Sequence, residues 1–293
     1  MANGIKIGNL DVTFKVGSAD CKVYLGDNLL YPHSPTPPVF EGKFKLTLSD
    51  SSTVSAECDS TSAVTSGEVS SQYSGTVVSA EIGNCVTTIG NGTFCRCTSL
   101  TSITIPNNVT SINGDAFSGC TSLTSITIPS GVTTIGGYAF SKCSGLTSVT
   151  IPSGVTYIGS GAFYGCASLT SIDIPSGVTY IGQNVFYKCS GLTSVTIGSG
   201  VTSIGENTFA NCSNLRQIDI PSGVTSIGSY AFENCTSLTS VTVNAITPPR
   251  LYINAFLNTN NCPIYVPSAS VSAYKSASVW SNYASRITAL PNS

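Results

Sequence analysis

Charge is what this sequence has least of. Asp, Glu, Lys and Arg make up 9% of its 293 residues, against about 25% in an average soluble protein. The formal net charge is −2 and the basic residues are scattered singly. That removes the electrostatic footprint of a nucleic-acid-binding protein. Histidine occurs once, as His33 within "PHSPTPP". Nothing there would position a Ser–His or Cys–His pair, and His33 reads as a solvated linker residue. No apolar run approaches the ~18 residues of a membrane span. The start, "MANGIKIGNLDVTFKVG", has no apolar h-region, so no secretory signal peptide is visible. The expectation is a matured or trimmed chain, or one released by another route such as lysis.

Ser, Thr and Gly fill the polar positions instead, and they do so periodically. Cys97, Cys120, Cys143, Cys166, Cys189, Cys212 and Cys235 stand 23 residues apart. Between them runs x-S/G-L-T-S-I/V-T-I-P-S-G-V-T-x-I-G-x-x-A-F-x-x-C. Six full copies fill 98–235. A partial copy, "IGNCVTTIGNGTFCRC", precedes them, and a longer irregular one follows at 236–262. A strict period of this length predicts a mostly β repeat solenoid in which each copy is one coil.

Within a copy, Ile103 and Ile105 alternate with Ser102 and Thr104, the pattern of a short strand with one buried face. The Pro that follows (Pro106, Pro129, Pro152, Pro175, Pro221) has no N–H for a ladder and ends the strand. Ser-Gly turns the chain, "V-T-x-I-G" supplies a second short strand, and Ala-Phe is expected to close the coil as a helical turn. Copies in register place like residues ~4.8 Å apart, so eight coils would span roughly 40 Å. Gly198 stands where other copies have Pro, and Val185 and Thr208 stand for Ala, without changing the spacing.

This motif resembles the BspA-like class of leucine-rich repeat over roughly 82–262: spacing, Pro, Gly and Phe all agree. The resemblance implies short parallel strands in each coil. It also implies binding of host or surface components by a rigid rod, at an extracellular or surface-exposed location. The tail "ITPPRLYINAFLNTNNCPIYVPSASVSAYKSASVWSNYASRITAL" is similar to the terminal cap of that class. Read physically, "CPIYVP" is a last strand. Ser270 to Arg286 is a helix with Val271, Tyr274, Trp280, Tyr283 and Ile287 near one face, covering the open end of the apolar column.

The expected organisation is a small β module at 1–31, a Pro-rich linker at 32–38, a β cap at 39–81, the solenoid at 82–262 and a strand/helix cap at 263–293. "KVYLGDNLLY" reads as two strands around Gly26-Asp27, and "IKIG" and "DVTFKV" as further strands. A piece this small rarely holds its own core. It is expected to pack on another protein, on a copy of itself or on the solenoid. A short β module before this repeat also resembles gut-bacterial phage and prophage reading frames. That likeness implies a virion-surface component, with residues 1–31 contacting other virion proteins.

Twelve cysteines invite metal or disulfide chemistry. Parallel Cβ vectors keep neighbouring ladder sulfurs from bonding, so a buried thiol column is expected. Cys95-x-Cys97 has the wrong spacing for a zinc knuckle. Asp173 and Asp219 share a strand position two coils apart, roughly 9–10 Å, a separation that would suit an inverting glycosidase pair. No apolar pocket is implied around them, so no catalytic residue, metal or cofactor is assigned. The binding candidates are tyrosines on adjacent coils: Tyr157 with Tyr180, and Tyr164 with Tyr187, each pair expected to stack. Tyrosine beside hydroxyl groups suits sugar rings and protein surfaces. It also simply strengthens strand pairing. The competing functions are a non-enzymatic recognition or adhesion protein, whose ligand is a protein or cell-surface glycan, and a structural spacer or particle decoration without a ligand. Ice binding by the Thr rows ranks last, because Asp173, Arg216, Gln217 and Asp219 interrupt them.

Overall fold

The structure is a computed structural model. It describes residues 42–59, 61–65 and 67–291, and the backbone of the strands Gly4–Ile7, Leu10–Gly17, Asp20–Leu25 and Asn28–Leu29. The chain divides into two units, 1–40 and 41–293. The first is a four-stranded antiparallel sheet in sequential order. His33, the Pro-rich segment and the Gly26-Asp27 turn lie outside the described residues.

In the second unit each coil contains two strands and a tight turn. The first strands, such as Ser125–Thr127, expose Ser and Thr and bury the Ile or Val between them. The second strands are two residues long, and nine of them, from Ala63–Val64 to Arg250–Leu251, form one continuous parallel sheet. Partners stand one repeat apart, as in Ser111 with Thr134 and Ile112 with Ile135. Leu123, Val132, Ile135, Phe140 and Cys143 of one copy are all fully buried. Like therefore stacks on like. The Phe rings from Phe94 to Phe256 lie nearly parallel with centroids 5.3–5.5 Å apart. Spacing wider than the strands' own ~4.8 Å fits rings stacked with an offset. The Gly that follows six of the nine second strands answers to crowding between coils: a Cβ on Gly205 would sit 2.7 Å from the carbonyl of Gly182.

The Ala-Phe segment is not helical, contrary to expectation. Its N–H groups alternate between two destinations. Ala116 and Ser118 donate three residues back, to Asn113 and Asp115, while Asp115 and Phe117 donate to Gly137 and Ala139 of the next coil. Half of the donors are thus exported, and no α-helical ladder can form. Left-handed residues four apart bracket the turn, as at Tyr138 and Lys142 or Asn207 and Asn211. Asn tolerates that region best among non-glycine residues.

The first-strand ladder is not uniform either. It breaks into Val77–Ile82 with Ser102–Thr104, Ser125–Thr127 with Ser148–Thr150, Ser171–Ile174 with Ser194–Ile197, and a last group that starts at Gln217–Ile220. Proline contributes to this. Where Gly198 and Asn244 replace it, their N–H groups bond to Ile174 and Ile220 at 2.9 and 3.0 Å. The strands there are four residues long instead of three.

At the N-terminal end of the column, the hairpin Phe44–Leu48 with Thr53–Ala56 pairs through its first strand with Val77–Ile82. Two ties hold the connection that follows. Cys58 and Cys85 form a disulfide closing 27 residues. Lys43, 2% exposed, donates to Asp59, Thr61 and Glu68 at 2.8, 2.9 and 2.7 Å.

The C-terminal cap departs from a single helix. It consists of the 3-10 turn Ser268–Ser270, the helix Val271–Ser276, the 3-10 turn Trp280–Tyr283 and the strand Ile287–Ala289. Extended Ala277 (ψ 148°) and left-handed Val279 (φ 64°) break the helix. "CPIYVP" supplies the strand Ile264–Val266, but Ile287–Ala289 pairs beside it and is the outermost.

Candidate functional site

The cysteine column is chemically quiet. The ladder thiols from Cys120 to Cys235 each donate to a Phe carbonyl of the preceding coil, as Cys143 does to Phe117 and Cys166 to Phe140, both at 3.1 Å. Burial pushes the thiols of Cys143, Cys189 and Cys235 up to about 12. A thiolate nucleophile is therefore not populated near neutral pH. Among the described residues no group of three or more His, Cys, Asp and Glu is placed to hold a metal ion. The Thr rows flanking the strands are largely self-satisfied: Thr147, Thr170 and Thr193 each donate a hydroxyl to the carbonyl one coil before.

The tyrosines divide. Tyr164 and Tyr187 stack, with centroids 5.2 Å apart and planes 25° from parallel, and the Lys188 ammonium lies 5.4 Å from the Tyr187 ring. Both rings are half-buried. Tyr157 and Tyr180 lie on adjacent second strands and are 49% and 41% exposed. They make no ring contact among the described residues, so the expected stack is not formed. The strands keep the one-repeat register, Ile158 with Ile181, so the tyrosines are neighbours whose rings do not meet. Sequence reasoning passed over Tyr138, 44% exposed. It sits at a left-handed turn position, with its ring over Gly161 of the next coil. Tyr138 and Tyr230 share a repeat position, and that repetition was the available signal.

Shallow hollows interrupt the rod among the described residues, and two of them carry polar side chains worth noting. One, of about 740 Å³, opens where the first-strand ladder breaks between Ser194–Ile197 and Gln217–Ile220. Val195 floors it, and Arg216, Gln217 and Asp219 line it. Asp219 lines this hollow and Asp173 does not. The other, of about 570 Å³, lies between the Asn258–Asn261 turn and the 282–286 segment of the cap. It is built by an irregularity: Cys235 and Cys262 are 27 residues apart instead of 23, and three of the extra residues fall between Phe256 and Cys262.

Fold and surface together define a rigid β-solenoid of the leucine-rich repeat class, offering long shallow faces rather than a deep cleft. The BspA-type leucine-rich repeat region model matches residues 70–193 and 179–283. The chain belongs to that family. A leucine-rich repeat protein from Bacteroides ovatus ATCC 8483 shares the fold. It has 22% identity and a TM-score of 0.58, over 98% of this chain and 76% of that one. A leucine-rich cell surface protein from Faecalibacterium prausnitzii A2-165 matches at 29% identity and a TM-score of 0.43, over 72% of this chain and 63% of that one. The T. pallidum leucine-rich repeat protein matches at 33% identity and a TM-score of 0.44, over 47% and 64%. No curated protein matches the chain. Members of the family are in general binding proteins rather than enzymes. Among the described residues no helix is long and apolar enough to cross a membrane.

Proposed function

We propose that this chain is a non-enzymatic recognition protein whose solenoid binds a protein or a cell-surface glycan through its tyrosine-bearing flank. The observation that carries this reading is the exposure of Tyr157 and Tyr180, at 49% and 41%, on adjacent strands of the continuous sheet. A large aromatic left in water on a rigid backbone loses little entropy when a partner covers it. Tyr164, Tyr187 and Lys188 extend the aromatic surface on the turn side of the same coils. Exposure at a cell surface is part of the proposal, and the surface protein of Faecalibacterium prausnitzii supplies a precedent by its name. The virion-surface variant, with residues 1–31 as an attachment or self-association module, is a narrower form of the same proposal. Capsid and tail genes beside this one would support it.

The test is a glycan, mucin and host-protein array probed with the intact chain and with the Tyr157→Ala/Tyr180→Ala variant. The expected result is binding that falls roughly tenfold in the variant, in the range of an aromatic hot spot. Equal binding by both chains clears the tyrosine pair of a role. No binding to any ligand favours the spacer reading. Equal subunit counts for the full chain and a chain starting at residue 39 would end the self-association idea.

A further inference from the structure

The hollow beside the C-terminal cap combines side-chain amides, a tyrosine and an arginine. One wall is the inserted turn, where Asn258, Asn260 and Asn261 all adopt left-handed backbone conformations. The other carries Asn282, Tyr283 and Arg286. The side-chain amides of Asn260, Asn261 and Asn282 are exposed and make no hydrogen bond among the described residues. Arg286 is held in place instead: Nε donates to the Cys262 carbonyl at 2.8 Å and Nη2 to the Thr259 hydroxyl at 2.9 Å. Its Nη1 has no partner among the described residues. The Tyr283 ring lies 5.5 Å from the guanidinium and meets Phe256 edge-on.

The sign of the ligand follows from the charge distribution. None of the fourteen acidic residues lies beyond Glu233, whereas Arg250, Lys275 and Arg286 do. A fixed guanidinium in a hollow whose lining holds no Asp or Glu attracts an anion and bonds it directionally. Free amides both donate and accept, as a ring of hydroxyls requires. A volume of about 570 Å³ lies within the ~300–1,000 Å³ range of small-ligand sites. We infer that this hollow binds an acidic sugar, its carboxylate on Arg286 and its hydroxyls on Asn260, Asn261 and Asn282. The site is separate from the tyrosine flank and stands or falls independently of it.

Saturation-transfer NMR on the full chain, titrated with D-glucuronic acid and with D-glucose, tests this. The two probes share a ring and differ at the carboxylate. Glucuronate should bind roughly tenfold or more tightly than glucose, the worth of one charge-assisted hydrogen bond, and should weaken as salt rises. The Asn260→Gly/Asn261→Gly/Asn282→Ala variant, with glycine where the backbone is left-handed, should lose about fivefold or more. Arg286→Ala also removes bonds that hold the cap, so the triple Asn variant, altered only at exposed amides, is the decisive one. Equal affinity for both sugars, undiminished binding by the triple variant, or no transfer from the folded chain to glucuronate would each overturn the assignment.

Discussion

At the scale of single residues, each repeated side chain answers a local demand of stacking. Cysteine is small enough for the column and still offers an S–H to the Phe carbonyl behind it. Thr208 shows the same logic where the pattern lapses. It replaces a buried Ala, and its hydroxyl reaches the carbonyls of Gly182 and Gly205, both at 2.9 Å. The buried Lys43 follows another rule, since its charge needs carboxylates. Desolvation pulls Lys43 down, but the bonds it donates to Asp59 and Glu68, with the attraction of their charges, outweigh it and leave the group raised. Asp59 falls from 3.8 to about 2, chiefly through its bond from Lys43. A lowered carboxylate stabilises the fold above its unfolded value and loses that contribution as pH falls through the folded one. Thermal midpoints of wild type and Asp59→Asn should therefore differ at pH 7 and converge between about pH 4 and pH 2. A gap that stays constant across that range would show that this ion pair does not govern the acid response.

At the scale of elements, a solenoid must end, and its two ends are closed differently. The N-terminal hairpin is tied covalently. Closing 27 residues through Cys58–Cys85 removes unfolded-state entropy worth about 3–4 kcal/mol on a chain-entropy account. The C-terminal cap relies on packing. Trp280 is 1% exposed, lies 5.9 Å from the last Phe ring and donates Nε1 to the Pro249 carbonyl at 2.7 Å. Tyr274 packs edge-on against it and donates to Ala245. Trp280→Ala should cost about 3–5 kcal/mol, with hydrogen-exchange protection lost first around Arg250–Leu251 and Ile264–Val266. Uniform loss across every coil would contradict a local capping role. The sequence marked this segment as an apolar-faced cap because Val271, Tyr274 and Trp280 recur near helical spacing. It did not reveal the break, which depends on Val279 turning the chain so that Trp280 reaches Pro249.

At the scale of the molecule, stability accumulates coil by coil, because each copy touches only its neighbours. Excising residues 144–166 joins Cys143 to Ala167 and preserves the repeat phase. The shortened chain should fold with the same strand signature and a denaturant m-value lower by roughly a tenth, in proportion to the surface removed. A molten or aggregated product would mean that the coils are not interchangeable. Excision also removes Tyr157 and Tyr164 and leaves the cap hollow untouched. Acidic-sugar binding should survive it while tyrosine-dependent binding falls.

The 23-residue period by itself determined the solenoid, its inward column and its family, because identical copies that bury one face can only stack in phase. The tertiary structure alone decided where the regularity fails. The Cys58–Cys85 bond, the Lys43 cluster and the hollow lined by both Asn260 and Arg286 bring together segments that carry no shared pattern. The splitting of the first-strand ladder likewise depends on which coil presents an N–H to its neighbour. Periodicity describes how a copy meets its like, whereas the ends and gaps of the rod are set by contacts between unlike segments.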